Sequence, residues 1–166
     1  MTSLDRIDRR ILATLQRDGR LSNVKLAQTV NLSPTPCLER VKRLEQAGYI
    51  EGYKAQLNAV QLNQGFLAFI TISLDRVTTD ILEAFSAQAR RLPEIVECHM
   101  VGGGFDFLIK VRTENMASFR RFLGEGLATL PEVATTSTSF FMEQVVSTGY
   151  IFVWIKGDQP SRPPSA

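Results

Sequence analysis

Apolar side chains recur at helical intervals through the first third of the chain and at strand-like intervals afterwards, with the change near residue 60. Ile7, Ile11, Leu12 and Leu15 share one face of a helix over residues 4–18, which Gly19 ends. Ser22 caps a second helix whose apolar positions are Val24, Leu26, Ala27 and Val30, and Asn31 suits a left-handed terminator. After a three-residue turn, Ser33 stands at the N-cap of a third helix, its oxygen able to accept from a free first-turn amide, with Pro34 at the first helical position. Cys37, Val41 and Leu44 form its buried stripe, and Gly48 stops it. Three short helices with a tight turn before the last make a helix-turn-helix. Tyr49 to Tyr53 alternate like a small wing or the start of a linker strand.

The second half reads as strand 66–74, helix 80–92, strand 95–101, a glycine turn, strand 105–112, helix 116–130 and strand 135–146. Along the third strand Phe105, Phe107, Ile109 and Val111 face one way; Met116, Phe119, Leu123 and Leu127 line the second helix. That order is the ferredoxin-like βαββαβ sandwich, so the fold class is α+β, with a winged-helix-like N-terminal domain. Expected boundaries are 1–52 for the helix-turn-helix, 53–65 for a linker and 66–156 for the sandwich with a final apolar strand at 150–155. A tail at 157–166 is too rich in proline and polar residues to join a core. Two helices cover one face of a four-stranded sheet. Leu67, Phe69, Leu108, Phe140 and Met142 put apolar groups on both faces, so the open face calls for a second copy of the chain.

Composition adds little: 44% hydrophobic and 22% charged residues suit a globular protein with a real core. Charge adds more. Residues 1–62 hold ten Lys and Arg against six Asp and Glu, whereas the remainder holds nine against eleven, so the basic excess lies with the helices. Cys37 and Cys98 fall in different hydrophobic stripes and read as buried thiols of a reducing cytoplasm. No apolar run is long enough to span a bilayer.

On the third helix Thr35, Leu38, Glu39, Lys42 and Arg43 oppose the buried stripe. Such a face suits a groove of duplex DNA, and equally suits an ordinary solvated surface. If DNA is the partner, Thr35, Leu38 and Glu39 meet base edges, Leu38 against a thymine methyl and Glu39 accepting from cytosine N4. Ser33 and Pro36 belong to the same tip, and Lys42 and Arg43 face phosphates. Arg40 is either a phosphate contact or an ion pair with Glu45 or an earlier acid. Ser22 and Asn23 open the second helix, where amides meet a phosphate. In the glycine turn, Gly102, Gly103 and Gly104 leave amides uncovered for a carboxylate, with Asp106 close by for an ammonium group. A flexible hairpin with a solvated acid fits the same residues. Met100, Met116 and the Phe140/Phe141 pair are candidates to line an apolar pocket beside it for a branched side chain, although methionine is more often plain core.

An enzyme is the rival class, and it fares poorly. The single histidine, His99, adjoins Cys98 in a strand, so the two point to opposite faces. No metal-ligand spacing or phosphate-binding loop is present, so no metal or cofactor is expected. A ferredoxin-like amino-acid sensor that acts through protein partners without touching DNA is a closer rival. It leaves the basic helix triplet without a purpose.

The runs Leu4-Asp5-Arg6-Ile7-Asp8-Arg9-Arg10-Ile11-Leu12, Gly19-Arg20-Leu21-Ser22-Asn23-Val24 and Ser33-Pro34-Thr35-Pro36-Cys37-Leu38-Glu39-Arg40-Val41 resemble the Lrp/AsnC, or feast/famine, family of transcription factors. The likeness extends to about Val146. It implies sequence-specific binding of double-stranded DNA, dimers formed by stacked C-terminal sheets, and often an octamer of four dimers. It also implies an amino-acid effector, leucine-like in the nearest members, held near the Val101-x-Gly103-x-Phe105-Asp106 run at the junction between dimers. Gly102 and Gly104 depart from the family, which often carries a hydroxyl and a polar residue at those two positions.

Overall fold

The computed structural model describes residues 4–145 together with Ile151 and Val153. Within these residues the chain divides into two compact units. One comprises residues up to 56 with Ile151 and Val153; the other comprises residues 57–145.

The first unit is three helices. Helix α1 (Arg6–Arg17) opens on a reciprocal capping box: the Asp8 amide donates to Asp5, and the Asp5 amide donates to Asp8. Helix α2 (Asn23–Val30) starts at Ser22, whose Oγ accepts from the Lys25 amide, and ends at Asn31 with φ 58° and ψ 49°. Helix α3 (Pro34–Gln46) closes in a Schellman motif around Gly48, at φ 75°, with Tyr49 N–H donating to the Leu44 carbonyl at 2.9 Å. Ile11, Leu12, Leu26, Ala27, Val30, Cys37 and Leu44 form the core.

Two sequence expectations change here. Ser33 holds the N-cap position, but its side chain makes no capping hydrogen bond. An N-cap oxygen is normally served by the N2 or N3 amide, and N3 here is Pro36, which has none. Residues 49–53 run without pairing into a strand.

Val153 packs on this helical core, and the Gln16 amide brackets Ile151. Its Nε2 donates to the Ile151 carbonyl at 3.0 Å, and its Oε1 accepts from the Ile151 N–H at 2.7 Å. The expected domain of residues 66–156 therefore loses these two positions to the helical unit. The rest of the expected strand 150–155 and the expected disordered tail 157–166 lie outside the described residues.

The second unit is a four-stranded antiparallel sheet in the order β2-β3-β1-β4. Its elements are β1 (Phe66–Leu74), α4 (Thr79–Ala89), β2 (Ile95–Met100), β3 (Phe107–Thr113), α5 (Met116–Arg121) and β4 (Val133–Phe140). Strand alternation sends Ala68, Ile70, Ile72, Phe107, Ile109 and Val111 under the helices, where they meet Phe85, Phe119 and Phe122. This is the ferredoxin-like arrangement read from the sequence.

The long helix 116–130 is not continuous. After α5 it loosens into a π-helical turn, Phe122–Gly126, and then tightens into a 3₁₀ turn, Leu127–Thr129. Glycine makes this possible, because a Cβ on Gly126 would lie 2.8 Å from the Phe122 ring. Phe122, which opens the wider turn, is buried in the core, whereas Met116, at the start of α5, is exposed.

Phe140 pairs with Ala68 and packs against Phe66 and Phe119, so it lies on the helix-covered face and not the open one. Met142 follows the end of β4 and is exposed, and Phe105 precedes β3. The open face keeps Leu67, Phe69 and Leu108 among Thr71, Ser73, Ser137 and Ser139. Cys37 is buried as expected. Cys98 is exposed, because β2 is an edge strand.

Candidate functional site

Two sets of candidate residues fall in the two units. In the helical unit, Thr35, Leu38, Glu39 and Lys42 stand exposed on α3, opposite Cys37 and Leu44. Leu38 keeps 42% of its surface in water, although it lies one residue from the buried Cys37. Pro34 and Pro36 together remove two of the four amides that a helix N-terminus normally leaves open. The tip is therefore poor in anion-binding donors, and what it exposes is hydroxyl and apolar surface from Ser33, Thr35 and Leu38. Asn23 does not reach outward. Its Nδ2 donates to the Pro34 carbonyl at 2.8 Å and ties the start of α2 to the tip of α3. Its Oδ1 is buried without a partner.

Arg40 pairs with the earlier acids, not with Glu45. Its Nη1 donates to Asp5 and, at 2.8 Å, to Asp8. Arg43 Nη2 sits 2.6 and 2.7 Å from the two oxygens of Asp8, which is buried at 2% exposure. Glu45 instead accepts the Tyr53 hydroxyl at 2.9 Å; burial and this carboxylate push the Tyr53 phenol up to about 12. The hydrogen bonds that Arg40 donates to Asp5 and Asp8 hold its guanidinium above its usual range. Burial opposes the charge on Asp5, but the Asp8 amide and the Arg40 guanidinium outweigh it and draw the Asp5 carboxyl down.

Sequence reading passed over Asp8. The signal was present: Asp8 lies three and four residues before Ile11 and Leu12, on the buried face of α1. A carboxylate there requires cationic partners.

The lowered Asp5 carboxyl sets a pH dependence. A depressed folded-state value stabilises above the ordinary carboxylate range, and that contribution is lost as pH falls through the folded value. The thermal transition of the helical unit is expected to drop once pH falls below about 4. Asp5→Asn, which retains a capping oxygen, should flatten that dependence in melts followed by circular dichroism. Because Asp5 is half exposed, the change is expected to be small.

In the sheet unit, Asp106 is held at the β2–β3 connection. Its amide donates to the Ile72 carbonyl at 2.9 Å, and its Oδ2 accepts from the Leu74 amide at 2.7 Å. One carboxylate oxygen thus orders the end of β1, and Oδ1 remains for a further donor. Gly102, Gly103 and Gly104 are exposed, and nothing lies within 4 Å of where their Cβ atoms would be. Met100 is exposed beside them and lines a cavity of about 410 Å³ between α4 and β2, with Ala89, Ile95, Phe107, Cys98 and Arg90. Arg90 was not among the sequence candidates.

Met116 and Phe140 are not part of this group. Met100 pairs with Phe107 at one end of β3, whereas Met116 follows Thr113 at the other. Phe140 lies across β1 at Ala68, which pairs with Val111. The strand between the two ends spans about 20 Å, at roughly 3.3 Å per residue. An antiparallel hairpin carries its far end away from its turn, so one chain cannot bring both methionines to one pocket.

Among the described residues there is no cluster of His, Cys, Asp and Glu able to hold a metal ion, and no helix is long and apolar enough to cross a membrane.

Comparison with known proteins covers both units. Residues 4–51 match a model of the winged helix-turn-helix DNA-binding domain, and residues 67–151 match the Lrp/AsnC ligand binding domain. The leucine-responsive regulatory protein of Salmonella typhimurium is 50% identical over 150 residues, spanning 90% of this chain and 92% of that protein. Its counterpart in Escherichia coli K12 is 49% identical over the same shares. Among solved structures, a transcriptional regulator from Neisseria meningitidis in complex with L-Met superposes with a TM-score of 0.84. It has 37% identity, covering 90% of this chain and 96% of that one. Escherichia coli AsnC superposes with a TM-score of 0.79 at 26% identity, over 87% and 96% of the two chains.

Proposed function

The chain belongs to the Lrp/AsnC family of transcriptional regulators, and from that premise we propose how its two units divide the work. It is a DNA-binding, amino-acid-responsive regulator and not an enzyme. In this reading the exposed face of α3 enters the major groove, with Thr35, Leu38 and Glu39 at base edges and Lys42 at a phosphate. Ser33 and Pro36 shape the tip. Ser22 presents the start of α2 to the backbone, and Asn23 holds that start against α3. Arg40 and Arg43 serve chiefly to seat α3 on α1. The observation that supports this most is an amide-poor, apolar and hydroxyl-bearing helix tip, standing exposed on a firmly capped scaffold.

The effector is proposed to be leucine or a similar branched amino acid, its carboxylate on the amides of residues 102–104 and its ammonium on Asp106 Oδ1. Met100 and the cavity beside α4 would take the side chain. Because Met116 and Phe140 lie at the other end of the sheet, any part they play falls to the copy supplied by a neighbouring chain. The open sheet face, with Leu67, Phe69 and Leu108, is the proposed dimer surface. Dimers would present two α3 tips about 34 Å apart, one helical turn of DNA, and assemble further to an octamer in the cytoplasm.

One titration tests the reading. Fluorescence anisotropy on the duplex upstream of the chain's own gene is expected to show binding that leucine shifts. Asp106→Asn keeps an acceptor for the Leu74 amide but loses the charge. It should melt like the parent and lose leucine affinity by about 10- to 100-fold, the worth of a charged hydrogen bond. Equal leucine affinity in the two proteins would remove Asp106 from the site, and absence of duplex binding would remove the DNA role.

A further inference from the structure

We propose that Asp8 withholds Arg40 and Arg43 from the DNA backbone, leaving α3 to approach the duplex with Lys42 as its working cation. The inference rests on the DNA-reading role of α3 described above.

A carboxylate has about four acceptor sites, and all of those on Asp8 are taken. Oδ1 receives Arg40 Nη1 at 2.8 Å and Arg43 Nη2 at 2.6 Å. Oδ2 receives Arg43 Nη2 at 2.7 Å and the Asp5 amide at 3.2 Å. With Asp5 also on Arg40, two carboxylates face two guanidiniums, and the cluster carries no net charge.

Burial makes the arrangement hard to open. Asp8 is 2% exposed, so an arginine that swung out to a phosphate would strip a buried charge of a partner. Arg43 has about half its side chain in solvent, yet its terminal nitrogen points back to α1. Lys42, between them in sequence, has no acidic partner among the described residues. The prolines at the tip act in the same direction by deleting amides that would otherwise attract phosphate. A recognition helix built this way draws little from the sequence-independent backbone term, so its discrimination rests on base edges.

The test is a salt series with a random-sequence duplex, using the full-length protein and its Lys42→Gln, Arg43→Gln and Asp8→Asn variants. Lys42→Gln is expected to reduce the slope of log affinity against log salt by about 0.9 for each engaged tip. Arg43→Gln is expected to leave the slope unchanged. Folded Asp8→Asn should steepen it, by about 0.9 per tip, as Arg43 becomes available while Asp5 still holds Arg40. Its affinity for random duplex should rise about tenfold, and its preference for the specific site should fall by a similar factor.

A slope for Arg43→Gln that falls as far as that of Lys42→Gln overturns the proposal, and this comparison decides the matter even if Asp8→Asn fails to fold. Folded Asp8→Asn with the parent slope overturns it as well. A parent protein that ignores duplex DNA at low salt would defeat the DNA-reading role itself. Parent binding with a flattened Arg43→Gln slope would defeat only the role given to Asp8.

Discussion

Leu44→Ala is expected to unfold or nearly unfold the helical unit and to abolish duplex binding while the sheet unit survives. Leu44 is 1% exposed and packs with Ile11, Leu26, Val30 and Cys37 beneath α3. Removing a buried leucine side chain costs about 2–5 kcal/mol. A unit of this size holds about 3–8 kcal/mol in total, from 0.05–0.15 kcal/mol per residue. The loss therefore consumes much of its stability. The residues proposed to read bases stay in the sequence, but the helix that aligns them loses its seat. Differential scanning calorimetry should show a transition lowered or missing beside one that is unmoved, with duplex affinity lost in the same preparation. Unchanged melting and unchanged affinity would mean that α3 does not depend on this core.

Phe107→Ala should do the converse. The Phe107 and Phe85 rings stack with centroids 4.0 Å apart, between β3 and α4, and Phe107 is 1% exposed. Truncating a buried phenylalanine costs about 3–5 kcal/mol. Phe107 also follows Asp106 directly and pairs with Ile72 and Met100, so the same cavity loosens the proposed effector loop. The expected result is a lowered sheet-unit transition and loss of the leucine response, with the helical unit's transition retained. Loss of both transitions together would show that the two units melt as one.

Much of the fold was legible because its signals are local. Gly48 and Asn31 end helices through their own backbone preferences, and Ser22 and Asp5 cap through bonds spanning three residues. Where expectation and structure part, the deciding partner is distant or unusual. Ser33 looks like a cap in isolation and lost its hydrogen bond to Pro36 at N3. The helix at 116–130 reads as regular because periodicity does not reveal that Gly126 admits the Phe122 ring and a wider turn. Phe140 alternates correctly in either register; only its pairing with Ala68 places it under the helices.

The candidate sites divide in the same way. The exposed face of α3 follows from helical spacing, so Thr35, Leu38, Glu39 and Lys42 could be named from the sequence. The glycine loop and Asp106 are contiguous in the chain and needed no fold to associate them.

By itself the sequence determined the element order, the α+β class, the family and the face of α3 that meets solvent. All of these depend on spacings of a few residues, which the backbone geometry of helices and strands translates directly into position. The tertiary structure alone decided that Asp8 claims two arginines from 32 and 35 residues away and that Met100 and Met116 stand at opposite ends of β3. Those are long-range pairings, settled by how buried charge and apolar area are satisfied across the fold, and no local pattern encodes which partner wins.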